Sequence, residues 1–368
     1  MKKIGTLLCV ALMWCVVSSM FPVKASLNKN DTEKVTVEND DKKGGYVYFS
    51  TSQGKIWKMS TKTGRYTCIW DPDLGDSEYN YNITCVGNAL YYIKTDTFED
   101  IPCICRLDIK KRKETKICLG EDMHIYNGKI YYRSFTTEDI DWGEEKSKYR
   151  SGIKSMDLDG SNKTTIFTKK YCKNLQDYHI LDGKIYYSFR TKKGVKVYRA
   201  NLTGKPEAEV YTAKRNDDNV RLTVWDKNIY IMGPEAKKGW YGLYELNASK
   251  KDTKNLFTYR ETDSDDNPTF ERKIVSVKSG WIYMVKTTYK DGKANLPTLL
   301  KYRTKDDKKV TVAELSEGHL AFEYLGNRCF VETVWRGGDS DSAIYFATSL
   351  FDLKNGIRST IDEWSICP

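Results

Sequence analysis

The sequence predicts an all-β fold, a single β-propeller of four-stranded blades. Three observations predict it. A motif centred on a tyrosine recurs along the chain at intervals of 40 to 55 residues, which suits one propeller blade per copy. A tight turn rich in Asn, Asp and Gly precedes most copies. After the N-terminal segment, no long stretch has the hydrophobic period of a helix.

The motif is written most clearly as Gly-Lys-Ile-Tyr-Tyr, at 128–132 and again at 183–187. Aligned on its first aromatic residue, it recurs at Tyr48, Tyr91, Tyr131, Tyr186, Tyr230, Tyr283 and Phe330. Counted from about residue 34 to about residue 361, the copies predict seven blades. Six and eight are the alternatives, because the last copy is degenerate and terminal repeats are often atypical. The fixed place of the aromatic ring favours packing between blades over a sugar-binding surface.

Each copy predicts the same series of four strands. A short first strand leads through a two-residue turn into the aromatic second strand. The turn pairs tolerate positive φ and are Asn127-Gly128, Asp182-Gly183, Asp226-Lys227 and Ser279-Gly280. A third strand of alternating character and a second tight turn lead to the fourth strand. The remaining connections are long, and they all fall on the opposite face, which we call the long-loop face.

The first 25 residues predict a secretory signal peptide. Lys2 and Lys3 precede an apolar run from Ile4 to Phe21, and a cleavage site is predicted after Ala25. The alternative, a membrane anchor, is disfavoured because the run is marginal for a span. We therefore expect a signal peptide at 1–25, a linker at 26–33 and the propeller at 34–368. We also expect export from a Gram-positive-type bacterium and no membrane span in the mature protein.

The charge pattern predicts a solvated surface. The chain has 60 basic and 50 acidic residues, a net charge of +10. Cleavage removes three lysines and no acid, which leaves a net charge of +7 with the two signs interspersed. This favours anionic partners mildly, and the lack of a basic stripe argues against nucleic acid. We expect a monomer without a cofactor.

Eight of the ten cysteines lie beyond the predicted cleavage site. Cys105 and Cys118 are the best candidates for a disulfide, because they flank one predicted hairpin. A metal site at Cys103-x-Cys105 is the alternative, but the pair lacks the usual two-residue gap and a matching second pair. We therefore predict no metal.

The repeats 128–135 with 152–167, and 183–205, resemble those of secreted bacterial propellers of unknown function. That group is likened to the YWTD-type propeller of low-density lipoprotein receptor relatives. The Tyr-Trp-Thr-Asp tetrad itself is absent; Tyr-Tyr-Arg-Ser and Tyr-Tyr-Ser-Phe stand in its place. The resemblance implies the propeller fold over most of 34–361. It implies no catalytic residue, and the receptor's ligand chemistry is not carried over.

Candidate ligand-binding residues lie in the long loops, where aromatic residues stand beside charged ones. They are Trp142, Trp240, Tyr241, Tyr289, Trp335 and Arg336. Large aromatic residues and Arg are typical anchors of protein interfaces, and flat rings also suit sugar faces. The alternative is that each Trp folds back and fixes its own loop.

Two functions from different classes fit the sequence. The first is a secreted, non-enzymatic module that binds a protein or cell-surface glycan through the long-loop face. The second is an extracellular carbohydrate-active enzyme, a glycoside hydrolase or lyase, with carboxylates or basic residues around the central channel. No zinc-protease or nucleophile-elbow motif occurs, and His124, His179 and His319 are expected to be structural. An enzyme should show ionisable side chains converging at the channel; a binding module should show an aromatic face.

Overall fold

The computed structural model describes the chain from residue 45 to residue 366. Its gaps are 52–53, 61–64, 73–77, 97–101, 136–149, 216–219, 226, 248–251, 263–269, 291–292, 316–318, 326–328, 337–343 and 353–356. For residues 319–366 it describes the backbone and the burial of Ser349. The predicted signal peptide (1–25), the linker (26–33) and the predicted start of the first blade lie outside the described residues.

The described residues form short strands and one helix of a single turn. The first half of the chain contains β1 (Tyr46–Ser50), β2 (Ile56–Ser60), β3 (Tyr66–Trp70), β4 (Glu78–Val86), β5 (Ala89–Asp96), β6 (Cys103–Asp108), β7 (Lys113–Tyr126), β8 (Lys129–Phe135), β9 (Arg150–Asp157), β10 (Thr164–Thr168), α1 (Lys169–Cys172), β11 (Leu175–Leu181), β12 (Lys184–Thr191), β13 (Gly194–Asn201) and β14 (Pro206–Thr212). The second half contains β15 (Arg221–Trp225), β16 (Asn228–Pro234), β17 (Trp240–Asn247), β18 (Asp252–Arg260), β19 (Phe270–Lys278), β20 (Trp281–Lys290), β21 (Lys293–Ala294), β22 (Thr298–Arg303), β23 (Lys308–Glu314), β24 (His319–Leu325), β25 (Cys329–Arg336), β26 (Ile344–Asp352) and β27 (Ile357–Ile366).

The strands pair with their sequence neighbours in antiparallel meanders, which we call blades. Blade 1 is β1–β3, and blades 2 and 3 share the long strand β7. Blade 4 is β11–β14 and blade 5 is β15–β18. Blade 6 is β19, β20, β22 and β23, with β21 beside β20, and blade 7 is β24–β27.

The first strands of successive blades contact one another in the order β1, β4, β7, β11, β15, β19 and β24. First strands in succession around a centre, each starting a four-stranded antiparallel sheet, are the arrangement of a β-propeller. The predicted fold class is therefore confirmed. The number of blades in the complete ring depends also on residues outside the described part, so seven stays a prediction.

The predicted hairpin turns between first and second strands are confirmed where both turn residues are described. The φ angles are 49° and 74° at Asn127-Gly128, 48° and 70° at Asp182-Gly183, and 46° and 75° at Ser279-Gly280. Two positive φ values are the signature of a type I′ turn, whose twist matches that of the flanking strands. Asn, Asp and Gly tolerate this conformation, which explains why the repeat is visible in the sequence.

The repeated tyrosine packs between blades, as predicted. Tyr48, Tyr91, Tyr131 and Tyr186 are all buried, as is Tyr230. Each ring belongs to an apolar cluster that combines residues of two successive blades. Each aromatic side chain buries a large area, so these five rings make a strong contribution to the successive junctions from blade 1 to blade 6. Tyr283 differs, because it is only partly buried and packs against residues of its own blade.

Strand β7 joins two blades without a break. Its first part pairs with β6 in blade 2, and its last part pairs with β8 in blade 3. Gly120 lies at the crossing, where a Cβ atom would stand 2.7 Å from Cδ2 of the buried Tyr132. Glycine therefore permits the close approach of the two blades at this point.

Candidate functional site

A cluster of charged side chains lies at the long-loop end of the first strands of blades 3 and 4. The Arg133 guanidinium is almost completely buried, with 3% of the side chain exposed. Its Nε donates to Asp122 Oδ2 at 2.8 Å and lies 3.7 Å from Glu121 Oε1. Asp122 is 47% exposed, so the ion pair connects a buried cation to the mouth of the channel. We call Glu121, Asp122, Arg133 and Asp177 the channel-mouth cluster.

The carboxyl groups of this cluster have different environments. Burial raises the pKa of Asp177, and the nearby His179 and the main-chain N–H of Leu222 oppose that rise. About a third of the Asp177 side chain nevertheless remains exposed (34%). Burial also lowers the pKa of Arg133, but the Asp122 carboxylate outweighs burial and the net direction is upward. A carboxyl group whose pKa is raised by burial is one component that acid–base catalysis uses.

The two described histidines connect first strands of neighbouring blades. His124 Nε2 lies 3.1 Å from the Tyr178 carbonyl oxygen, and His179 Nε2 lies 3.0 Å from the Leu222 carbonyl oxygen. A carbonyl accepts hydrogen bonds and donates none, so Nε2 carries the proton in both rings. Burial, aided by the His179 ring 4.9 Å away, lowers the pKa of His124 to about 3. His124 is therefore a neutral donor, which fits a structural role.

Other polar groups at the channel mouth also bind main-chain atoms of the next blade. Asn82 Nδ2 donates to the Met123 carbonyl at 2.6 Å, and the Tyr178 hydroxyl donates to the Asp122 carbonyl. The Leu222 N–H donates to Asp177 Oδ2 at 2.7 Å. These bonds satisfy buried main-chain groups that make no hydrogen bond to a neighbouring strand within their own blade. Much of the polarity at the mouth thus holds the first strands together.

The second notable surface on the long-loop face is the junction of blades 5 and 6. Trp240 begins β17 and is half-buried, and the Lys237 ammonium lies 5.3 Å from its ring centroid. The short loop before it is closed by two main-chain bonds, from Glu235 N to Trp240 O at 2.8 Å and from Trp240 N to Lys237 O at 3.2 Å. The Trp240 Nε1 atom is buried and has no hydrogen-bond partner among the described residues.

Contacts along this junction connect Tyr241 with Tyr289. The Tyr241 ring packs 6.2 Å from the Tyr259 ring, and the Tyr259 hydroxyl reaches Glu261 Oε1 at 3.5 Å. The next residue, Thr262, pairs with Glu271 through an isolated β-bridge, and Glu271 Oε2 accepts from the Tyr289 hydroxyl at 2.8 Å. Two of the predicted site residues, Tyr241 and Tyr289, therefore lie along one junction, whereas Trp240 precedes Tyr241 in β17 and points to the other face of that strand.

The long-loop edge of blades 5 and 6 also presents an exposed apolar side chain and a charge. Leu296 is 47% exposed and is placed beside β20 by the bond from Asn295 N to the Thr288 carbonyl. Arg221, 56% exposed, reaches Glu261 at 3.5 Å. We call this surface the blade 5–6 rim; its members are Arg221, Trp240, Tyr241, Glu261, Glu271, Tyr289 and Leu296.

The remaining predicted site residues are not joined to this surface by any described contact. Trp142 lies outside the described residues. Trp335 and Arg336 are the last two residues of β25, for which the structure describes the backbone alone. Their part in a binding surface stays a prediction.

The predicted disulfide between Cys105 and Cys118 is not formed, and both are free thiols. The register pairs Cys118 with Ile104, the residue that points away from Cys105. Cys118 Sγ contacts Met156 Sδ at 3.9 Å, whereas Cys105 Sγ lies 3.6 Å from Cys103 Sγ. Flanking one hairpin was not a sufficient criterion, because the two side chains lie on opposite faces of the sheet. The spacing Cys-x-Cys was the better indication of two neighbouring thiols, because alternate residues of a strand lie on the same face.

A groove on the opposite face was not predicted. It has a volume of about 420 Å³ and lies between the turn ends of blades 4 and 5. Its polar lining includes Asp182, Lys227, Asn228, Glu245, Asn247 and Lys254. In the sequence these residues occupy turns and strand ends. Polar residues are expected at such positions, so they did not indicate a groove.

The described part of the chain contains a single helix, α1. No helix there is long and apolar enough to cross a membrane. Among the same residues, no group of three or more His, Cys, Asp or Glu side chains is arranged to hold a metal ion.

No family model and no curated protein sequence matches the chain. Similar solved structures include a mutant puromycin hydrolase, at 11% identity and a TM-score of 0.57, with 88% of this chain and 53% of that chain covered. An oligogalacturonate lyase in complex with manganese is similar at 12% identity and a TM-score of 0.50, covering 93% and 90%. The β-propeller domain of the trilobed protease from Pyrococcus furiosus is similar at 13% identity and a TM-score of 0.48, covering 78% and 97%.

At such low identity, these likenesses concern the fold alone. The chain spans about half of the puromycin hydrolase that it matches. Because neighbours at 11–12% identity show the fold alone, they favour neither class of function. The assignment to the secreted, YWTD-like group stays a prediction.

Proposed function

We propose that this protein is an exported recognition module that binds a protein or a cell-surface glycan through its long-loop face. The blade 5–6 rim is the observation that carries the proposal. There Tyr241 and Tyr289 lie along one junction. Trp240, the residue before Tyr241, has the Lys237 ammonium near its ring and lies on the other face of β17, and Leu296 is exposed in the loop after β21. Rigid aromatic side chains beside charges are typical of binding hot spots.

The polar groups at the channel mouth support recognition more than catalysis. Each described histidine donates to a main-chain carbonyl, and Asp177 accepts a main-chain N–H. Arg133 is occupied by Asp122 and Glu121. Side chains that make these hydrogen bonds hold the strands in position. If they transferred protons in catalysis, the contacts between blades would be interrupted.

The test is the binding of the purified protein to a panel of glycans, cell-wall fragments and candidate proteins at low and high salt. For a ligand found in this way, Trp240→Ala is expected to weaken binding by about thirtyfold, the effect of a loss of about 2 kcal/mol at a hot spot. Trp240→Phe keeps an aromatic face without the indole N–H and should retain most of the affinity.

A matched control lies on the opposite face. Glu245→Ala alters the groove between blades 4 and 5 and should leave the affinity unchanged. If Glu245→Ala removes binding while Trp240→Ala does not, the site lies in the groove and the proposal for the long-loop face is wrong. Melting temperatures measured for all three variants separate loss of binding from loss of the fold.

The second candidate is a carbohydrate-active enzyme, a hydrolase or lyase, with its site at the channel mouth. The observation in its favour is that burial raises the pKa of Asp177, while Asp122 is half-exposed beside Arg133. The channel-mouth cluster contains three carboxyl groups and one guanidinium, so neutral or cationic sugars fit it better than polyuronates. Incubation with both kinds of oligosaccharide, followed by assays for new reducing ends and for unsaturated products, tests this candidate.

A further inference from the structure

Two cysteine side chains of blade 2 face one another from the same side of strand β6. Cys103 Sγ and Cys105 Sγ are 3.6 Å apart, which is contact distance for two sulfur atoms, and both are free thiols. Alternate residues of a strand point to the same face, so the spacing Cys-x-Cys produces the pair. Ile104 between them points the other way and is fully buried.

The two thiols differ in access. Cys103 is partly exposed, whereas Cys105 is 1% exposed within the apolar cluster between blades 1 and 2. A reagent from solution can therefore reach Cys103 first. Cys105 is protected from it, but lies next to the sulfur atom of Cys103.

The surroundings also distinguish the two groups chemically. The hydrogen bond from the Cys105 thiol lowers the pKa of Cys103; burial opposes this, and Lys116 and Lys94 add to it. The same hydrogen bond, together with burial, raises the pKa of Cys105. A thiolate is the nucleophile in disulfide exchange, so Cys103 is suited to attack and Cys105 to follow.

We propose that Cys103 and Cys105 form a redox-active dithiol that reacts with low-molecular-mass disulfides and closes to an intramolecular disulfide. The Cys103 thiolate attacks one sulfur of the disulfide R–S–S–R, forming a mixed disulfide and releasing R–S⁻, which takes up a proton. Cys105 then loses its proton, attacks Cys103 Sγ and displaces the second R–S⁻. The two cysteines lose two electrons, and R–S–S–R is reduced to two R–SH.

The strand makes the product easy to reduce again. Closing the pair brings the sulfur atoms from 3.6 Å to about 2.05 Å. The two residues belong to a strand that pairs with β5 on one side and β7 on the other. Both partners resist the change in backbone that an ideal disulfide needs. Strained disulfides are the labile ones, so this pair suits reversible exchange better than permanent cross-linking.

The experiment uses the full chain, reduced and then incubated with glutathione disulfide. Free thiols are counted by alkylation, and linked peptides are identified by mass spectrometry. We expect the loss of two thiols per molecule, a Cys103–Cys105 link, and its reversal by reduced glutathione. Cys105→Ser should trap one glutathionyl group on Cys103, and in Cys103→Ser the thiol of Cys105 should stay unmodified. Cys118→Ser, on the other face, should behave as the wild type.

A reagent test needs no variant. Phenylarsine oxide bridges two neighbouring thiols and should protect Cys103 and Cys105 from alkylation together. The proposal is wrong if the arsenical protects neither, if a mixed disulfide accumulates in the wild-type protein, or if Cys103→Ser loses thiols as fast as the wild type. Circular dichroism of the oxidised protein should match that of the reduced protein, because the reaction is local; loss of the spectrum on oxidation would also contradict it.

Discussion

Replacing His124 with Gln should remove a specific pH dependence from the stability of the protein. In the folded state the buried imidazole donates Nε2–H to the Tyr178 carbonyl, and its pKa is lowered from 6.5 to about 3. In the unfolded chain the same group binds a proton below about pH 6.5. The free energy of unfolding therefore falls as the pH is lowered from about 6.5 towards 3, and above pH 7 the effect is absent.

The magnitude follows from the size of the shift. Each unit of pKa difference corresponds to about 1.4 kcal/mol. At pH 5 the unfolded chain binds a proton at His124 that the folded protein does not bind. This should lower the free energy of unfolding by about 2 kcal/mol. At pH 3 the cost is about 4 kcal/mol, and the full difference of about 5 kcal/mol is reached only below the folded-state pKa. Gln also has a side-chain N–H that can donate to the Tyr178 carbonyl, but it does not titrate.

The assay is urea denaturation of the wild type and of His124→Gln at several pH values between 8 and 4. The difference between the two free energies of unfolding isolates His124, because other titrating groups, including Asp177, are present in both proteins. It should be constant above pH 7 and should move by about 2 kcal/mol in favour of the variant by pH 5. A difference that stays constant over the whole range would refute a neutral, buried His124.

Two other predictions concern single side chains. Gly120→Ala should lower the free energy of unfolding by about 1–3 kcal/mol, since the new Cβ would stand 2.7 Å from Tyr132. Gly87→Ala is the control, because a Cβ atom at Gly87 would meet nothing within 4 Å. The positive φ of 57° alone should lower its free energy of unfolding by about 1 kcal/mol. Equal losses of stability for the two variants in denaturation curves would contradict the steric argument. Asp177→Asn keeps an oxygen that accepts the Leu222 N–H, so the melting temperature should change little. It should leave ligand affinity intact if the protein is a binding module, and abolish turnover if Asp177 is a catalytic acid; retained turnover would exclude that role.

The fold could be predicted because the repeat encodes local structure. Asn127-Gly128 fixes a type I′ turn, and the tyrosine that follows has one place in the blade, at the junction with its neighbour. Both signals depend on residues within one hairpin. A property that recurs with every blade is therefore visible in the sequence even when no two blades are closely similar.

The contacts between blades could not be predicted in the same way. Asn82 donates to the Met123 carbonyl 41 residues away, and both Asn82 and Asp122 occupy positive φ at irregularities in their strands. Such an irregularity changes the face of the sheet on which the following side chains lie. The alternation of residues along the strand then no longer predicts that face. The Cys105–Cys118 pairing was wrong for a related reason, because the register across β6 and β7 decides the faces.

The channel mouth shows why an ionisable cluster alone does not identify an enzyme. A propeller brings its first strands close together, and their outermost peptide groups need partners that the blades do not supply. Here His124, His179 and Asp177 supply those partners across two junctions. Because each bond joins consecutive blades, the cluster has a structural purpose before any ligand is considered. The blade 5–6 rim differs in this respect: neither the exposed Leu296 nor the lysine above Trp240 is needed to pair a main-chain group. A surface with features that the fold does not require is the better place to look for the ligand.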